Sequence, residues 1–134
     1  MLNKKLAVEI PLSYKDFKEQ VLADYRLISL SRECSILGRR EVMTGKAKFG
    51  IFGDGKELPQ LILSKFFKNG DFRSGYYRDQ TILMEQGHLS PKEIFAALYA
   101  HPDIEAEPMS GGRQMGGHFV TRSNEEDGSW KKLT

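Results

Sequence analysis

The chain has 134 residues, 40% of them apolar and 28% charged, with a formal net charge of +2. That is enough for one modest core, and the balanced charge gives no electrostatic argument for a polyanion partner. Cys34 is the sole cysteine, which excludes an internal disulfide and fits a reducing compartment. Inside a helical pattern it reads as a small buried apolar residue rather than a catalytic thiol. Met1 to Lys5 lacks the apolar run of a secretory signal, and no stretch is long and apolar enough to span a membrane. A soluble, cytoplasmic chain with no membrane partner is expected.

After an N-terminal arm over residues 1–12, Ser13 fits an N-cap with Asp16 three residues on. Apolar residues recur at Tyr14, Phe17, Val21, Tyr25 and Ile28, and Leu22, Leu30, Ile36 and Leu37 widen that face. A long amphipathic helix is predicted, fraying or continuing briefly at Gly38-Arg39-Arg40, where the basic pair complements the helix dipole. From Met43 to Gly55, glycines alternate with Lys46, Lys48, Phe49, Ile51 and Phe52, which suits a crossing loop. A second helix is predicted from Leu58 to Phe67, with Leu61, Ile62 and Phe66 on one side and Asn69-Gly70 as its stop. One or two helical turns follow at Thr81 to Glu85, ending at Gly87. Ser90-Pro91-Lys92-Glu93 then carries a capping box with proline at the first helical position, and Ile94, Phe95, Leu98 and Tyr99 supply the buried face of that helix.

Beyond His101 periodicity ends among Pro102, Pro108 and the glycines, so residues 101–134 read as an irregular Gly/Pro-rich tail. Asp103, Glu105 and Glu107 read as an exposed acidic strand. The fold class is mainly α, a helical part over 13–100 followed by the tail. His88, His101 and His118 are too far apart in sequence for a metal pair on one helix face, so no protein-only metal site is expected.

Two stretches carry chemistry. In Asp71-Phe72-Arg73-Ser74-Gly75-Tyr76-Tyr77-Arg78-Asp79, a glycine turn delivers phenols and a guanidinium to the start of a helix. A planar fork of donors beside a phenol matches phosphate or carboxylate oxygens. In Gly111-Gly112-Arg113-Gln114-Met115-Gly116-Gly117-His118, glycines on both sides of an arginine let backbone donors and side chain converge on an anion.

With both stretches in the same order and spacing, the chain resembles the N-terminal part of the alpha subunit of the thiamine diphosphate-dependent 2-oxo acid dehydrogenases. The branched-chain (2-oxoisovalerate) type is nearest, with the pyruvate type as the alternative; the likeness runs from about Asp16 to Thr121. The resemblance implies the N-terminal helical segment of an α/β thiamine diphosphate-binding fold, a single incomplete domain over residues 1–134. It implies that Tyr77 and Arg78 bind the cofactor diphosphate, and that Phe49, Met115 and His118 line the substrate pocket, His118 also serving in catalysis. Magnesium would accompany thiamine diphosphate, with its ligands outside this chain. Gly53-Asp54-Gly55 looks like the opening of the magnesium motif but lacks the downstream asparagine, and is rejected as such.

Gly116 replaces the proline usual in the family, and Gly53 to Glu57 departs from its pattern before the second helix. The implied partners are a beta subunit or fused beta half, a lipoyl acyltransferase component, the 2-oxo acid substrate and further copies in a homo-oligomer. The parent would be an oxidoreductase, and this 134-residue piece is expected to be inactive alone. Two other readings stand beside it. One is a small helical protein-interaction module without catalytic activity. The other is a weak nucleic-acid binder using Arg39, Arg40, Lys46, Lys48 and Arg73.

Overall fold

A computed structural model describes residues 12–68, 71 and 73–114. The element order is α1 (Tyr14–Met43), α2 (Glu57–Phe66), α3 (Gln80–Glu85) and α4 (Pro91–Leu98), with no strand among the described residues. More than half of those residues are helical, as a mainly α chain requires. The helix α1 is the spine, packing on α2, α3 and α4, while α2 also packs on α3.

The long helix starts as its sequence indicates: the Ser13 hydroxyl accepts from the Asp16 N–H at 3.1 Å. It then runs straight through Gly38 to a C-cap at Thr44. Gly38 is a passage rather than a stop. The Phe52 ring lies where a side chain at Gly38 would be, so the crossing loop can press directly on the helix backbone.

The buried face of α1 is the correction. Tyr14, Phe17, Val21 and Tyr25 are exposed, Tyr14 by 81% and Tyr25 by 65%. Burial falls instead on Ser31, Cys34, Ser35, Gly38 and Glu41, one face of the second half. Periodicity reports where apolar residues stand; close approach of neighbouring elements decides which face is covered, and small residues admit that approach. The same displacement occurs on α2, where Leu61 is buried but Ile62 and Phe66 are exposed, and where Glu57, Gln60 and Ser64 share the inner face.

Short as it is, α3 sits at the centre. Every residue from Gln80 to Met84 is buried, and Leu83, Met84 and Leu89 form an apolar cluster with Leu27 and Ile94 against it. Each fully buried side chain of this size contributes about 1.5–3 kcal/mol relative to exposure. Gly87, with φ of 73°, ends the helix where expected. The capping box of α4 is complete, with the Glu93 carboxylate accepting from the Ser90 N–H at 2.7 Å while the Ser90 hydroxyl accepts from the Glu93 N–H at 3.3 Å. Its predicted buried face is only half-covered, and Tyr99 is exposed.

Residues 101–114 form turns, not an acidic strand. Asp103 and Glu105 are exposed, whereas Glu107 is only 2% exposed and its carboxylate accepts from the N–H groups of Met109, Ser110 and Gly112 and from the Ser110 hydroxyl. Burial raises the Glu107 pKa, but these donors outweigh it and hold the group below the usual carboxylate range.

Candidate functional site

The turn before α3 is built from behind. Gln60 on α2 donates to the Arg78 carbonyl at 2.9 Å, and its amide oxygen accepts from the Thr81 N–H at 3.1 Å. One side chain thus grips the backbone on both sides of the entry to α3. Gln80 in turn donates to the Ser31 carbonyl at 2.8 Å and to the Ser31 and Ser35 hydroxyls, both at 3.0 Å. The Ser31 and Thr81 hydroxyls meet at 2.7 Å. A buried polar lattice of this kind, with its members satisfied, fixes one arrangement more sharply than apolar contact does.

On the loop side, Gly53 lies against the same carbonyl, since a Cβ there would stand 2.5 Å from the Arg78 oxygen. The loop's far end is tied by Glu57, whose carboxylate takes both prongs of Arg32 at 2.7 Å and the Gly55 N–H at 3.0 and 3.1 Å. The Arg32 hydrogen bonds, against the opposing effect of burial, lower the Glu57 pKa.

In front of this support stand the expected anion-binding residues. The Tyr76 and Tyr77 hydroxyls share a hydrogen bond of 2.6 Å, and their rings lie tilted by 36° with centroids 3.9 Å apart. The Arg78 guanidinium lies 5.3 and 5.4 Å from the two ring centroids, within cation–π range. The contact with the neighbouring Tyr76 phenol, with burial adding to it, pushes the Tyr77 pKa up. No ion pair to Arg78 occurs among the described residues. Among the described residues the half-buried cation is held by aromatic faces and is not paired with a carboxylate. This donor set fits a phosphate or diphosphate group.

Phe49 is brought to the second stretch. It shares a cavity of about 250 Å³ with Lys48, Ala97, Leu98, Gly112, Arg113 and Gln114. Met115 and His118, the other expected pocket residues, lie outside the described residues. His101 accepts from the Asp103 N–H at 3.2 Å, and no group of three His, Cys, Asp or Glu side chains converges for a metal among the described residues. Three of the five basic residues considered for nucleic acid are in ion pairs: Arg39 with Asp54, Lys46 with Glu41 and Arg73 with Asp79.

Sequence reasoning missed the supporting residues. Gln60 and Gln80 were silent because a buried glutamine looks like a surface one until its partners, 21 and 49 residues away, are known. The single available signal was Gln60 inside the otherwise apolar Leu58 to Leu63.

Against known proteins, the chain is 31% identical over 105 residues to the 2-oxoisovalerate dehydrogenase subunit alpha of Bacillus subtilis (strain 168). The alignment takes in 75% of this chain and 29% of that relative's length. No family profile matches, and no solved structure matches. No helix of the described residues is long and apolar enough to cross a membrane.

Proposed function

We propose that this chain supplies cofactor-diphosphate and substrate-pocket residues to a thiamine diphosphate-dependent 2-oxo acid dehydrogenase. The observation that carries the reading is the Tyr76-Tyr77-Arg78 cluster, a cation on two aromatic rings whose backbone is pinned by Gln60. The likeness to a 2-oxoisovalerate dehydrogenase alpha subunit supports it. Arg78 and Tyr77 hold the diphosphate end of the cofactor. Bound there, thiamine diphosphate supplies the carbanion chemistry that decarboxylates a 2-oxo acid. The chain's own task is to bind and orient. Phe49 and Met115 give an apolar aromatic and a pliable thioether to an aliphatic acyl chain, and His118 offers an imidazole to a carboxylate or developing charge. A beta subunit or fused beta half completes the site, a lipoyl acyltransferase component receives the acyl group, and the cytoplasmic assembly holds further copies of this chain.

The test is calorimetric titration of thiamine diphosphate and magnesium into the intact polypeptide carrying Arg78→Ala. Removing a charge-assisted phosphate contact is expected to weaken binding by at least about tenfold. Unchanged affinity would sink the assignment.

One observation favours a second reading, a helical interaction module: the apolar residues of the first half of α1 are exposed. Concentration-dependent association with no affinity for thiamine diphosphate is the outcome that would favour the module over the enzyme.

A further inference from the structure

The turn that presents Tyr77 and Arg78 is closed by a residue too deep to touch a ligand itself. The Arg73 side chain is only 7% exposed, and its Nη1 donates to Asp79 Oδ2 at 2.5 Å. The same oxygen accepts from the Tyr76 N–H at 2.9 Å, and the Asp79 N–H donates to the Tyr76 carbonyl at 3.0 Å. Asp79 stands at the N-cap position of α3, yet its side chain caps nothing there. It turns back instead, drawing Arg73 and Tyr76 together. Gly75 completes the closure, since a Cβ at that position would stand 2.6 Å from Arg73 Nη2. The guanidinium therefore fills the inside of the turn, while Tyr76 is exposed and Tyr77 and Arg78 are half-buried. Its Nε is buried with no acceptor among the described residues. Leaving a buried donor unmet is costly, so the geometry is imposed by the Asp79 contact and by the turn wrapped around it.

We propose that Arg73 is a positioning residue for anion binding: through Asp79 it holds the Tyr76 to Arg78 turn so that Tyr77 and Arg78 face a diphosphate. This rests on the cofactor reading above and adds to it the residue that sets the strength of that grip. Arg73 acts chiefly through Arg78, so most of its contribution vanishes when Arg78 is removed, leaving only the smaller part made through Tyr77. A direct contact with the ligand would instead add to that of Arg78 whatever stood at position 78.

The experiment is a double-mutant cycle on the intact polypeptide with the subunits that purify with it, reading calorimetric affinity for magnesium thiamine diphosphate and for inorganic pyrophosphate. Losing an outer contact that orients a metal ligand typically costs about 10–100-fold in affinity, and for this turn a loss of about tenfold is the expected effect of Arg73→Gln on both probes. In the Arg78→Ala background the same change is expected to cost less than about twofold, the sign of coupled residues. Arg73→Lys, which keeps a cation for Asp79, recovers part of the loss. Should Arg73→Gln fail to fold, Asp79→Asn removes the charge opposite Arg73 while keeping an acceptor for Tyr76, and the same pattern is expected. Equal losses in both backgrounds, or no loss in the wild-type background, overturn the role of Arg73 and leave that of Arg78 standing. A flat response to Arg78→Ala overturns the cofactor reading, and this inference with it.

Discussion

The two halves of α1 invert the usual relation between composition and burial. Its first half carries Tyr14, Phe17, Val21 and Tyr25, all exposed, and its second half buries Ser31, Ser35, Gly38 and Glu41. The apolar half packs little and the small, polar half packs closely. What separates them is the neighbour: α3 and the crossing loop come near enough to Ser31, Ser35 and Gly38 to make hydrogen bonds and ring contacts, which bulky side chains would prevent. A fold assembled this way places its site by hydrogen-bond geometry, and apolar burial around Leu83 supplies cohesion.

The sharpest way to break this contrast is Gln80→Leu. The shape is nearly kept, but the Ser31 carbonyl and the hydroxyls of Ser31 and Ser35 lose their common donor. A destabilisation of about 2 kcal/mol or more is expected in chemical denaturation. A leucine that left stability unchanged would show that the lattice is incidental.

A smaller effect is expected from Glu107→Gln, which turns an amide toward N–H donors now facing a carboxylate. About 1 kcal/mol should be lost at neutral pH. The pH dependence has a definite sign. The folded pKa values of Glu57 and Glu107 lie below the ordinary 4.5, so the stability they contribute is complete above that value and is lost as pH falls through the folded values. Denaturation midpoints measured from neutral pH down to below 4.5 should fall, and the fall should be shallower in Glu107→Gln. An equally steep fall would assign acid sensitivity to other groups.

Least of all is expected from Phe17→Ser, at 55% exposure on the open half of α1. Its effect on stability should stay within about 0.5 kcal/mol. A loss of several times that size would mean that this half is covered in solution.

Local signals were legible in the amino-acid order because their partners are near in the chain. Ser13 with Asp16, Ser90 with Glu93 and Gly87 after α3 all act across a few residues, and each does so as expected. That two phenols and a guanidinium follow a glycine turn was also readable as residue types, though the ring faces that hold the guanidinium were not. What could not be read is long-range. Which face of α1 is inner and how Gln60 grips Arg78 from 18 residues away depend on which elements meet.

Cys34 lies on the close-packed face of α1 beside Ser31 and Ser35, 5% exposed, with its thiol pKa pushed up by burial. Low exposure denies a reagent access, and the raised pKa suppresses the thiolate on which alkylation depends. Because no other cysteine competes, the rate at which a thiol reagent modifies this chain becomes a clock for how often α1 parts from its neighbours. The spine of the fold thus carries its own reporter of opening, readable without introducing any label.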